Sequence, residues 1–167
     1  KSLARLMNIF VLDRCPIKAA QYQCDRHVIK MVLETAQLLC TAFDQAPYKK
    51  THYNHPCAIW TRQARDNYTW LLHHGYALGD EYKQRYGKTH KSVDVLDWCG
   101  ANMGTIVFPE ISMTPFAQAM PDQYRNEDPV VAYRNYYIHE KFKIAKWKHN
   151  NAPAWYTIES KSNEQHA

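Results

Sequence analysis

Between Gln23 and Leu39 the apolar residues recur at helical spacing, with Val28, Ile29, Val32, Leu33, Ala36 and Leu39 on one side. A stripe of this kind must be buried against other elements, so it commits the chain to packed helices. The other side is unusually polar. Gln23, His27, Lys30, Glu34 and Gln37 follow one another at steps of four, three, four and three, flanked by Asp25 and Arg26. Such a face is either a solvated surface, steadied by a Lys30/Glu34 pair worth a few tenths of a kcal/mol, or a place where an amine, an imidazole and a carboxylate meet.

The remaining signals are also helical. Asp13 and Pro16 mark a helix start, followed by a helical pattern over roughly 17–43 with a break near Cys24. After the polar loop 44–56, Asn54 or His55 caps a helix that opens at Pro56 and runs to about Tyr86, with Gly75 or Gly79 as bending points and Gly87 as its end. A shorter helix covers about 93–102, an irregular stretch carries Pro109, Pro115 and Pro121, and a last helix spans about 129–148. At the N-terminus MNIFVLD reads as a short strand. The expected fold is mostly α: a single compact domain of four to five helices with one short N-terminal extended segment. Its bounds are 7–158, preceded by an extension or remnant at 1–6 and followed by a frayed tail at 159–167.

Composition narrows the function classes. The chain of 167 residues is 46% hydrophobic and 22% charged, a globular balance. No apolar run approaches the roughly 20 residues a membrane helix needs, and a cytoplasmic location with no membrane partner is expected. Five scattered cysteines include no CxxC. A metal site built from Cys24, His27, His55 and Cys57 is a minor alternative, giving a metal-dependent nuclease or zinc protein; otherwise the thiols are free, with no metal and no cofactor.

The net charge of +5 is unevenly spread. Four Lys/Arg and no acid lie between Tyr48 and Arg65, namely Lys49, Lys50, Arg62 and Arg65. Five against the single Glu140 lie between Arg134 and Lys148, and Arg85, Lys88 and Lys91 form a third group around Gly87. Cations interleaved with Tyr and Trp suit phosphate neutralisation and base stacking, so nucleic acid is the expected partner. The other reading is a solvated basic surface. On the helix after Pro56, Trp60, Asn67, Trp70, Leu71 and His74 share a face that reads as core, with one of His73 and His74 inside. The amine chemistry open to the first polar face is nucleophilic: a neutral amine attacks a sugar C1′ while a carboxylate moves protons.

Several short segments, in order, resemble the phage pyrimidine-dimer DNA glycosylase/AP-lyase family, the endonuclease V of T-even phages. They are MNIFVLD after the first Met; Arg26-His27-x-x-Lys30; His55, Trp60, Trp70-Leu71, Glu81 and Arg85-Tyr86-Gly87; then Lys143-Ile144-Ala145 and Pro153-Ala154-Trp155-Tyr156. The resemblance implies a helical protein that binds and kinks duplex DNA and excises a damaged or modified base, with lyase activity, in a phage-infected host cell. It implies an α-amine nucleophile at Asn8, or at Met7 if that residue is retained. The family's catalytic glutamate position falls on His27, which leaves acid–base work to His27 with Asp25 or Glu34, and Lys30 as a second amine. It implies phosphate contacts at Arg26 and Lys30 and DNA proximity for Trp147, Trp155 and Tyr156; with the basic clusters, the expected DNA contacts also include Arg14, Lys49, Lys50, His55, Arg62, Arg65, Arg85, Lys88, Lys91, Lys143, Lys146 and Lys148. A non-enzymatic phage DNA-binding accessory protein is the main alternative.

Overall fold

The structure, a computed structural model, describes residues 7–156, so the expected extension at 1–6 and tail at 159–167 lie outside the described residues. The described residues include the α-helices α1 (Pro16–Tyr22), α2 (Asp25–Cys40), α3 (Pro56–Gln63), α4 (Arg65–Tyr86), α5 (Val93–Ala101) and α6 (Pro129–Glu140). The fold is mostly α, and no helix is long and apolar enough to cross a membrane.

Local chemistry accounts for the starts. The Asp13 carboxylate accepts the Cys15 N–H ahead of Pro16, and His55 Nδ1 accepts the Cys57 N–H ahead of Pro56. Asp128 does the same for Val130 at the head of α6. The last two satisfy donors that the first helical turn leaves without a partner, and the first fixes the approach to α1. Gly87 ends α4 in the left-handed region at φ 74°, where a side chain would be strained.

The count exceeds the expected four to five because two long helical patterns are interrupted. One break falls at Gln23–Cys24, as its sequence suggests. The other falls at Ala64, not at a glycine. Ala64 is extended (φ −139°, ψ 144°) and pairs with Glu110, which accepts the Arg65 N–H and donates its own to Gln63. Gly75 serves contact rather than bending: a Cβ there would lie 2.9 Å from Thr35 Cγ2 and 3.0 Å from Leu96 Cδ2, where α2, α4 and α5 converge.

Three further expectations are corrected. The segment MNIFVLD forms no strand, since Phe10 takes a positive φ of 38° and its carbonyl accepts the Leu12 N–H; Ile9, Val11 and Leu12 are fully buried in the helical core. Its backbone is served by a side chain, since Asn8 Oδ1 accepts both the Ile9 and Phe10 N–H groups and Asn8 Nδ2 donates to the Ala119 carbonyl. The last helix stops at Glu140, because the following chain leaves the helix path to bury Trp147, whose Nε1 donates to the Tyr22 carbonyl. Finally, the core face of α2 is turned by one residue. His27, Val28, Met31, Val32, Thr35 and Ala36 are inside, while Ile29 and Leu33 are partly exposed at 43% and 38%.

One buried charge fixes the corner between α1 and α2. The Arg85 side chain is only 7% exposed. Its guanidinium donates to the Gln21 and Gln23 carbonyls, to Asp25 and to Glu81. Asp25 also accepts the Lys148 N–H, and its own N–H donates to the Lys146 carbonyl. Removing one partner from a buried, fully bonded charge network leaves the others uncompensated. Arg85→Ala is therefore expected to cost about 3–5 kcal/mol, read as a lower denaturant midpoint; a loss below about 1 kcal/mol, the surface-pair range, would show the network to be dispensable.

Candidate active site

The N-terminal segment, the outer face of α2, Pro121 and the end of α6 enclose a pocket of about 340 Å³. Met7, Asn8 and Phe10 form one wall, Lys30 and Glu34 a second, and Pro121, Tyr136, Glu140 and Lys141 the rest. Its ionisable groups are two amines and two carboxylates.

Glu34 is the most enclosed of these, with a side chain 15% exposed. It pairs with Lys30 at 3.6 Å, and the main-chain N–H of Asn8 lies near enough to favour its charged form. Burial raises its pKa above the usual carboxylate value, against the pull of Lys30, the Asn8 N–H and His52. The result is a carboxyl that gains and loses a proton closer to neutrality, beside a backbone nitrogen whose direction Asn8's own side chain fixes. Opposite, the Lys141 ammonium stands 4.8 Å from the Tyr136 ring centroid and 5.9 Å from that of Phe10. Glu140 accepts the Tyr124 hydroxyl at 3.1 Å.

Of the residues expected to act together, the pocket gathers Asn8, Lys30 and Glu34. Asp25 and His27 are elsewhere. Asp25 is held by Arg85 and the Lys146–Lys148 backbone. His27 is 3% exposed, stacks on Phe10 with centroids 4.2 Å apart, and places Nδ1 2.6 Å from the Tyr137 hydroxyl. It supports the pocket from behind by fixing Phe10. Glu140 and Lys141 were not singled out from sequence as catalytic candidates. The only signal for them was an acid–base pair inside an otherwise basic block.

The expected nucleic-acid contacts divide. Arg26 is exposed at the start of α2, next to Lys146 and Lys148 through the Asp25 backbone bonds, and Lys143 is exposed nearby. Lys88 and Lys91 are exposed on a turn that His90 docks to the α2 backbone by donating to the Ile29 carbonyl. Lys49 and Lys50 are exposed on the loop after α2, where Lys50 faces Asp44 at 4.0 Å. Arg62 covers the Tyr53 ring at 3.6 Å, Arg65 faces Asp66, and Arg14 faces Asp128. His55 is buried as a helix cap and Arg85 is buried in the network described above. Trp147 is buried, and the half-buried Trp155 and Tyr156 pack against it and Tyr137, so these aromatics serve the core. Among the described residues no three His, Cys, Asp or Glu side chains gather where they could hold a metal ion, so Cys24, His27, His55 and Cys57 do not assemble into a site.

A family model described as pyrimidine dimer DNA glycosylase matches residues 7–94, more than half of the chain, and the chain belongs to that family. No curated protein and no solved structure matches. The matched region contains Asn8, Lys30 and Glu34 and ends before the wall formed by Pro121, Tyr136, Glu140 and Lys141.

Two of the buried imidazoles, His27 and His74, give the protein a defined acid response. Burial lowers His27 from 6.5 to about 3, helped by Lys141 and Lys30, and lowers His74 to about 4 against an opposing bond to the Pro16 carbonyl. Below 6.5 the unfolded chain takes up protons that the folded chain refuses, so stability falls as pH falls through the interval down to those values. Glu34, raised by burial, acts in the opposite sense: its contribution is lost as pH rises above the unfolded carboxylate value. Urea midpoints should therefore decline from about pH 7 to about pH 5. His27→Gln should flatten that decline; an unchanged slope would mean that His27 is protonated in the folded protein.

Proposed function

We propose that this chain excises a damaged pyrimidine from duplex DNA, and that its chemistry takes place in the pocket between Asn8 and Glu34. Membership of the family makes it a DNA glycosylase acting on DNA. The observation that carries the finer reading is that Asn8, Lys30 and the enclosed Glu34 line one pocket.

The nucleophile in this reading is the α-amine of Asn8, exposed once the residues before it are removed. An α-amine has a pKa of about 7.7–8, so much of it is neutral near pH 7.5, whereas an ordinary lysine is almost entirely protonated. Its lone pair forms a bond to C1′ as the glycosidic bond breaks and the electron pair leaves with the base. Glu34, with its raised pKa, supplies the proton the departing base needs and then, as carboxylate, takes one from the new ammonium. Opening of the sugar ring gives a Schiff base. Loss of a C2′ proton then expels the 3′ phosphate, which is the lyase step. Lys30 and Lys141 border the same space and stabilise negative charge that develops in it.

This assignment moves the working carboxylate from the position implied by resemblance, occupied here by His27, to Glu34 two turns further along α2. Phosphate contacts are proposed for the exposed cations on the same side: Arg26 and Lys30 of α2, and Lys143, Lys146 and Lys148 beyond α6.

The test uses duplex DNA carrying one thymine dimer, the protein as isolated, and a form beginning at Asn8. Borohydride should trap the Asn8 form on DNA, and peptide mapping should find the adduct at Asn8. Glu34→Gln should lower cleavage of the glycosidic bond in the dimer, read as alkali-labile strand breaks, by about a hundredfold or more while leaving DNA affinity within about threefold. An adduct at Lys30 would relocate the nucleophile. DNA binding with no glycosidic cleavage by either form would make the protein a binding factor rather than an enzyme.

A further inference from the structure

We infer that Cys40 and Cys99 are a latent disulfide, a modification site that closes when the protein meets a peroxide and staples the end of α2 to α5. Cys40 is the last residue of α2, and Cys99 lies on α5. Their sulfurs are 3.8 Å apart, and among the described residues no other two cysteine sulfurs are in contact. The approach is enforced from several sides. Phe43 packs edge-on against Trp98 with centroids 4.8 Å apart, the Tyr48 and Ser92 hydroxyls are bonded at 2.9 Å, and the Tyr68 hydroxyl donates to the Cys99 carbonyl. Reaching the roughly 2.05 Å of an S–S bond takes a further approach of about 1.8 Å.

The two thiols are set up unequally. The bond from Cys99 holds the Cys40 thiol below its ordinary value against the opposing effect of burial, whereas the same bond and burial push Cys99 up. Cys40 is therefore the thiol that loses its proton and attacks. It also lines a pocket of about 380 Å³ bounded by the loop from Phe43 to Lys50, which is the route by which a small oxidant reaches a buried sulfur. The other cysteines differ: Cys15 is exposed, the Tyr137 hydroxyl donates to Cys24 Sγ, and burial pushes the Cys57 thiol up. The Cys40 thiolate attacks one peroxide oxygen, the O–O bond breaks, and the hydroxide released takes a proton to become water. The Cys99 sulfur then attacks the sulfenic acid left at Cys40, and the S–O bond breaks to release a second water. Two electrons pass from the thiol pair to the peroxide. The new bond joins positions 59 apart in the chain, so it restricts the unfolded state and thereby stabilises the folded one.

The experiment treats the full chain with a small excess of hydrogen peroxide and compares wild type with Cys15→Ser and Cys99→Ala. Thiols are counted in denaturant once the peroxide is removed, and intact mass with peptide mapping locates the product. Wild type should lose two of its five thiols while staying a monomer, with a mass lower by two hydrogens and a peptide that links Cys40 to Cys99. Its urea midpoint should rise by about 1–2 M over the reduced protein and return with dithiothreitol. Cys15→Ser should gain the same link and the same rise. Cys99→Ala should gain neither, and if that variant fails to fold, mapping of the wild-type product decides alone. All five thiols surviving, a link through another cysteine, oxygen added at Cys40 without a link, or a link without the rise would each overturn the inference.

Discussion

The guanidinium of Arg85 is the constraint through which the working parts of this fold are held in register. A cation this deeply enclosed is costly unless every donor is used, and here two carbonyls and two carboxylates use them. The carbonyls belong to the end of α1 and the chain just beyond it, and one carboxylate belongs to the first residue of α2. The corner between these helices is thus set by the last turn of α4. Asp25 passes the constraint on, because its carboxylate and its N–H also hold the backbone at Lys148 and Lys146. Glu34 lies nine residues along α2, about 13.5 Å up the helix axis at 1.5 Å per residue. A change at Arg85 would therefore disturb both the direction of Glu34 and the basic segment beyond α6.

How much of this was legible in the chain depended on the range of the forces involved. Pro16, Pro56 and Gly87 act on their own turns, and the helix ends they mark lie where the residues suggest. The break at Gln23–Cys24 was also visible. Ala64 was not, since nothing local interrupts that helix; the interruption is made by Glu110, far along the chain. The end of α6 has the same character, with burial of Trp147 overriding a helical pattern. Periodicity placed α2 correctly but misjudged its rotation by one residue. A histidine counted as polar proved to be a core side chain, neutral and stacked on an aromatic ring.

The pocket was half legible for a related reason. Lys30 and Glu34 are one turn apart on a recognisable helix, and Asn8 is marked by the motif around the first Met. Tyr136, Glu140 and Lys141 reach the same space from the other end of the chain, outside the matched family region. Their arrival depends on tertiary packing alone. The family match thus covers the two walls formed by Met7, Asn8, Phe10, Lys30 and Glu34, and the remaining wall lies beyond it.

The arrangement around Asn8 has a consequence for how the chain is addressed. Its side chain bonds forward to Ile9 and Phe10 and across to Ala119, and its nitrogen lies beside Glu34. Every one of these partners follows residue 8 in the chain. The instructions that aim this nitrogen are thus written wholly downstream of it, so the identity of what precedes residue 8 can vary without rewriting them.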